Sequence, residues 1–279
     1  MNIEMFHEVS RQCSRITTEK YSTSFSSAIR LLHPDLRQPI YNIYGFVRFA
    51  DEIVDTFAGY DKRLLLQNFR NETFDAIHTG ISLNPILNSF QLTVNKYKIS
   101  HDLINAFFKS MEMDLYNCTY DDKSYKDYIY GSAEVVGLMC LYVFCDGNEK
   151  QYISLEPAAR SLGAAFQKVN FLRDVNADFE VLSRTYFPGV DFTNFTPVMK
   201  QEIEKDIASD FESAYNGIVS LPWKAKFGVY VAYKYYYSLF RKIQRIHACH
   251  ILRQRIRIPN FQKAMIVARA GVKNQLKMI

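Results

Sequence analysis

Ile40-Tyr-Asn-Ile-Tyr44-Gly-Phe-Val-Arg48-Phe-Ala-Asp51-Glu-Ile-Val-Asp55-Thr-Phe57 reads as one long helix, and its pattern decides the fold. Positions 43, 46, 47, 49, 50, 53, 54 and 57 are apolar or Ala. The strong polar groups, Tyr44, Arg48, Asp51 and Asp55, recur at i, i+4, i+7 and i+11, which is a single helix face. A helix apolar nearly all round is normally buried. Charges set among apolar neighbours are costly unless something pairs with them. The stripe therefore predicts a polar wall facing a cavity. The competing reading is a solvated face on which Arg48 pairs with Asp51 or Asp55, and the apolar flanks argue against it.

A second stretch repeats the logic 123 residues after Asp51. In Leu162 to Phe179, the groups Gln167, Asn170, Asp174 and Asp178 fall at i, i+3, i+7 and i+11. Ala164, Ala165, Phe166, Val169, Phe171, Leu172 and Val175 surround them, and Gly163 with the alanines permits close helix packing. Every member of this stripe offers an oxygen, the donor a hard cation such as Mg²⁺ takes. One D-x-x-x-D is a weak signal; two, on buried-looking helices with amide and Arg companions, are a strong one. Divalent cations bridging carboxylates and phosphate oxygens neutralise a departing diphosphate, and Arg48 and Arg173 add direct contacts. A carbocation left behind needs shelter from water, and aromatic faces steady it.

Other signals fit one large helical domain spanning 1–279. Gly and Pro are few, 11 and 8 residues, whereas Tyr and Phe number 19 and 21. Helical periodicity covers 2–32, 36–57, 61–78, 84–95, 101–117, 124–145, 150–183, 197–219, 223–247 and 260–276. Breaks fall at His33-Pro34, Gly59, Gly80, Gly147, Pro188-Gly189, Pro222 and Pro259. No apolar run approaches 18 residues, so no membrane-spanning helix is expected, nor does the N-terminus resemble a signal peptide. Five cysteines without metal or redox spacing imply reduced, buried thiols in a cytoplasmic protein. The net charge of +5 hides an asymmetry: residues 241–279 carry ten Lys or Arg and no acid. That segment suits diphosphate or an anionic membrane surface; nucleic acid is not expected, since no binding motif accompanies the charge.

At these residues the chain resembles the phytoene/squalene synthase family, the head-to-head trans-prenyltransferases. Tyr21-Ser-Thr-Ser-Phe25 with Arg30-Leu-Leu resembles the family's opening motif, and Ile43 to Asp55 its first aspartate motif. Tyr128-Ile-Tyr130-Gly-Ser-Ala-Glu-Val-Val-Gly137 resembles its central glycine-bearing helix. Leu162 to Asp178, then Arg184-Thr-Tyr186-Phe-Pro188, resembles the second aspartate motif, and Tyr215-Asn-Gly-Ile and Arg255-Ile-Arg-Ile-Pro the closing segments. The chain differs at Glu52 and Ala177, where the family often has Asp and Glu, and at Glu134, where it usually has Gly.

The resemblance implies an all-α, class I isoprenoid synthase-like helical bundle around a central cavity. It implies that Asp51, Asp55, Asp174 and Asp178, with Asn170, bind Mg²⁺ or Mn²⁺. It implies that Arg48, Arg173, Arg255, Gln167 and Ser24 hold substrate, and that Tyr44, Tyr130 and Tyr236 line the reaction cavity. Tyr233, Tyr235 and Tyr237 rival Tyr236 in register. The implied reaction joins two prenyl diphosphates through a cyclopropylcarbinyl diphosphate. Carotenoid-type motifs favour two C20 units and phytoene, without NADPH and with downstream carotenoid enzymes as partners. Squalene or dehydrosqualene synthesis from C15 units is the near alternative. A non-catalytic assembly factor and a class I terpene cyclase are the alternatives of other kinds. An apolar product implies peripheral association with the inner face of a membrane.

Overall fold

The computed structural model describes residues 2–116, 119–180, 186–251 and 256–276, and at 176–180 and 193 the backbone alone. Its helices are α1 (Ile3–Tyr21), α2 (Thr23–Ile29), α3 (Pro34–Asp55), α4 (Lys62–Thr79), α5 (Pro85–Tyr97) and α6 (His101–Tyr116). They continue as α7 (Asp122–Ile129), a π turn (Tyr130–Glu134), α8 (Val135–Cys145), α9 (Glu149–Glu180) and α10 (Pro197–Ile218). The last are α11 (Trp223–Gln244), the short α12 (Ala248–Ile251) and α13 (Asn260–Gln275). The fold is all-α, and the described residues contain no β-sheet.

Phe46 anchors α3 in the bundle. Its ring stacks on Phe90 of α5 at 3.9 Å and meets Phe107 and Phe108 of α6 at 5.3 and 5.6 Å. With this apolar side committed, the stripe containing Tyr44, Arg48 and Asp51 turns away from the core. On the other side of the molecule, α9 packs along α10. There Lys168 donates to Asp206 and Asp210 at 2.5 and 2.7 Å, a compensated charge cluster clamping the two helices.

Two breaks shape the interior. The expected helix over 2–32 divides at Ser22, whose backbone is extended (φ −143°, ψ 101°) and whose hydroxyl accepts from the Phe25 amide to cap α2. The π turn at Tyr130–Glu134 is pressed from both sides. A Cβ on Gly131 would lie 2.5 Å from the Ala106 carbonyl, and one on Gly163 of α9 would lie 2.6 Å from the Ala133 carbonyl. Only glycine allows three helices so near one another here.

Two sequence expectations are corrected. The 24-residue stretch Asp122–Cys145 is long and apolar enough to cross a membrane by length and composition, and more than half of its most apolar window is buried in the bundle. Of the described cysteines, all free thiols, Cys145 is buried but Cys249 is exposed.

Candidate active site

The α3 stripe ends in a recess. Asp51 keeps 32% of its side chain accessible. Burial nevertheless pushes its carboxyl up to about 8; Arg48 opposes this, while the charges of Asp55 and Asp114 add to it. Arg48 lies 4.0 Å from Asp51, ion-pairs with Glu52, and rests 4.4 Å above the Tyr21 ring. Tyr44, one turn before Arg48, lies near Ser22, and burial pushes its hydroxyl up to about 12.

The α9 stripe meets the same space from α11. Arg173 donates to Asp174 at 3.0 Å and lies beside the hydroxyl of Tyr236. Asn170 lies beside Tyr236 as well, and burial, against the pull of Arg173, holds the Tyr236 hydroxyl above the usual range. Its ring stacks on Phe166 at 3.9 Å and lies 5.8 Å from Phe25, which in turn is 5.7 Å from Tyr44. These aromatic contacts connect α2, α3, α9 and α11. The rival tyrosines lie elsewhere: Tyr233 and Tyr237 pack on Phe211 of α10, and the Tyr235 hydroxyl accepts from Ser27.

Thus Tyr44, Arg48 and Asp51 lie together, as do Asn170, Arg173, Asp174 and Tyr236. Asp55 is exposed at the end of α3. Gln167 is half-buried one turn before Asn170, and Ser24 is half-buried on α2 beside Phe25. Tyr130 is not brought to this group: its ring lies 5.1 Å under the Arg160 guanidinium, which donates to Glu134 at 2.6 Å. The side chain of Asp178, and Arg184 and Arg255, lie outside the described residues.

The sequence reading missed Asp114 and Tyr128. Asp114 on α6 is buried, accepts from the Tyr128 hydroxyl at 2.8 Å, and is near enough to Asp51 to raise it. The signal was present: Asp114 follows Phe107 and Met111 on an apolar face, the same charge-among-apolar pattern that marked Asp51.

The donor set fits a hard divalent cation. The Asn170 Oδ1 is buried without a hydrogen-bond partner, and Asp51 is a desolvated carboxyl incompletely balanced by Arg48. Among the described residues no three acidic, His or Cys side chains converge as a ready-made cluster. That suits Mg²⁺, which typically takes one or two carboxylates and completes its shell with water and substrate phosphates.

Comparisons with known proteins agree with this geometry. The family model described as squalene/phytoene synthase matches residues 18–262. The chain is 25% identical to phytoene synthase 1, chloroplastic, of Solanum lycopersicum over 87% of its own length, though it spans only 63% of that relative. It is 27% identical to 15-cis-phytoene synthase of Synechocystis sp., over 99% of this chain and 87% of the relative. A solved dehydrosqualene synthase superposes with a TM-score of 0.81 at 18% identity, over 98% of both chains, a likeness of fold.

Proposed function

The chain belongs to the squalene/phytoene synthase family, a family of prenyl-transferring enzymes, and from that premise we propose that it joins two C20 prenyl diphosphates head to head to give phytoene. The observation that carries the reading is the joining of two polar stripes by aromatic contacts through Phe25 and Phe166: Tyr44-Arg48-Asp51 on α3, and Asn170-Arg173-Asp174 with Tyr236 on α9 and α11.

Asp51, Asp55, Asn170 and Asp174, with Asp178, would hold Mg²⁺, which when bound supplies Lewis-acid neutralisation of the departing diphosphate. The rest is the work of side chains. Arg173 is already oriented by Asp174 and Tyr236, so its remaining N–H groups meet diphosphate oxygens at little ordering cost. Arg48, set by Glu52 and the Tyr21 ring, meets the second diphosphate. One prenyl unit loses its diphosphate, and the double bond of the other attacks the allylic cation. A proton is then lost and a cyclopropylcarbinyl diphosphate forms. That intermediate loses its own diphosphate and rearranges, and a final proton loss gives phytoene without a reductant. Phe25, Phe166, Tyr44 and Tyr236 present ring faces to these cations and exclude water. The product is apolar, so the enzyme works in the cytoplasm against the inner face of a membrane and passes phytoene to downstream carotenoid enzymes.

The choice of C20 leans on relatives named phytoene synthase. The deciding experiment offers C15 and C20 diphosphates with Mg²⁺, with and without NADPH, and identifies the hydrocarbon. Phytoene from C20 without NADPH is expected. Squalene or dehydrosqualene from C15 alone overturns the chain-length assignment, and no product from either substrate favours a non-catalytic assembly factor.

A further inference from the structure

Helix α13 is amphipathic with an apolar ridge turned outward. Its inner side, Ile266, Val267 and the buried Ala270, packs on α11. Phe261, Met265, Val272 and Leu276 lie on the opposite side and are 63%, 45%, 56% and 64% exposed. At 100° per residue these four, with Ala268 between them, fall within one narrow arc. Arg269 and Lys273 flank that arc. Such a ridge is poorly placed in water, because several large apolar side chains are contiguous.

The charge of the chain's own last segments is of one sign. After Glu212 the chain carries thirteen Lys or Arg and no Asp or Glu. Arg241 and Lys242 end α11, on which α13 packs, and Lys234 lies near enough to Lys273 for that charge, after burial, to hold its ammonium below the usual range. An apolar ridge with basic flanks matches an anionic lipid surface, in which the ridge enters the acyl boundary and the cations meet headgroups. The helix is also tied to the cavity. Lys263 in its first turn donates to the Thr23 hydroxyl at 2.9 Å. Thr23 begins α2, whose cap Ser22 lies near Tyr44 and whose Phe25 ring is 5.7 Å from that of Tyr44 and 5.8 Å from that of Tyr236.

We propose that α13 lies in the plane of an anionic membrane surface, ridge down, and holds the α2 side of the cavity against the lipid. The inference rests on the peripheral-membrane reading above and supplies the surface that performs it. Apolar substrate tails and product would then exchange between cavity and bilayer over a short path.

The test is flotation of the full chain with phosphatidylcholine vesicles, with and without phosphatidylglycerol, using F261S/M265S and R269Q/K273Q, each checked for unchanged circular dichroism. Wild type is expected to float with the anionic vesicles. F261S/M265S loses more than about tenfold in binding, R269Q/K273Q about fivefold per charge removed, and both keep wild-type turnover in detergent. Wild type that ignores anionic vesicles, or a folded ridge variant that binds as wild type does, overturns the proposal. A wild-type dimer that F261S/M265S converts to monomer, with no vesicle binding, assigns the ridge to a second copy and overturns it equally. A chain that floats but couples no prenyl diphosphate defeats the catalytic reading and leaves α13 docking intact.

Discussion

The two aspartate stripes look alike in sequence and differ in how the protein balances them. On α9, Asp174 has its own cation: Arg173 is the next residue, and Tyr236 steadies that guanidinium from the other side. On α3, Asp51 is recessed, near Asp55 and Asp114, and only partly offset by Arg48, which is drawn away to Glu52 and the Tyr21 ring. The first arrangement is prepared for an anion and the second for a cation. On the proposed reading, acids of both stripes hold the metal, and Arg173 makes the α9 side the better prepared of the two for phosphate.

The largest effects should come from removing either acid. Asp51→Ala and Asp174→Ala are each expected to lower kcat by on the order of 10³ or more, as losing electrostatic stabilisation does elsewhere, while the proteins stay folded. The comparison sharpens in Mg²⁺ titrations: both variants should need more metal for their residual rate, and Asp174→Ala, which leaves Arg173 without its partner, should raise the substrate KM as well. If either variant turns over normally, the site is misassigned.

Next in size is the aromatic bridge between the stripes. Tyr236→Phe keeps the ring against Phe166 but removes the hydroxyl beside Asn170 and Arg173. A fall in kcat of about tenfold is expected, the equivalent of one hydrogen bond to a charged group. Tyr233→Phe, packed on Phe211, should stay close to wild type in steady-state assays. Equal losses from the two would mean that the hydroxyl at Tyr236 has no special part.

Stability should respond with opposite signs. Asp174→Asn leaves the half-buried Arg173 without its charge partner and is expected to cost about 1–3 kcal/mol. Asp51→Asn removes a carboxyl whose ionised form burial, and then Asp55 and Asp114, oppose, and should raise the Mg²⁺-free melting temperature by ~3 °C, the change about 1 kcal/mol brings in a chain of this size. The pH dependence agrees in sign. Asp51 has a folded carboxyl raised to about 8, so the native state binds a proton the unfolded chain releases. In Mg²⁺-free buffer, wild type should therefore gain stability over Asp51→Asn as pH falls from 8 toward the unfolded value near ~4. Thermal melts across that range check both claims.

The comparison also shows what a sequence can carry. Helical periodicity placed nearly every helix, because an apolar face spaced at 3.6 residues has few other places to go. It joined α1 and α2, because the break is made by the cap at Ser22, a local bond without hydrophobic signature. Both stripes were legible because four polar groups repeat on each. Asp114 was not, because it is a single acid whose partners, Tyr128 and the field at Asp51, come from other helices. Tyr130 and Tyr128 differ by two positions, about 200° around a helix, so they face opposite ways: Tyr128 to Asp114 and Tyr130 to Arg160. Tyr236 could be separated from its neighbours only once α10 was seen to cover Tyr233 and Tyr237.

The smallest expected effect probes why Arg48 is less free than Arg173. Glu52 ion-pairs with Arg48 and accepts from the Thr56 hydroxyl at 2.9 Å, so the carboxylate is itself held in place. Glu52→Gln keeps the length and the Thr56 contact but removes the charge. Arg48 then relies on the Tyr21 ring and on Asp51, 4.0 Å away. Its orientation loosens, but its charge is less committed, and these act in opposite directions on a diphosphate. The lost ion pair should be worth no more than a partly exposed pair usually is, so KM should change about threefold or less with kcat nearly constant. A large fall in kcat with KM unchanged would show that Glu52 belongs with Asp51 in the cation-binding set, and that the α3 stripe holds one more ligand than its spacing suggests.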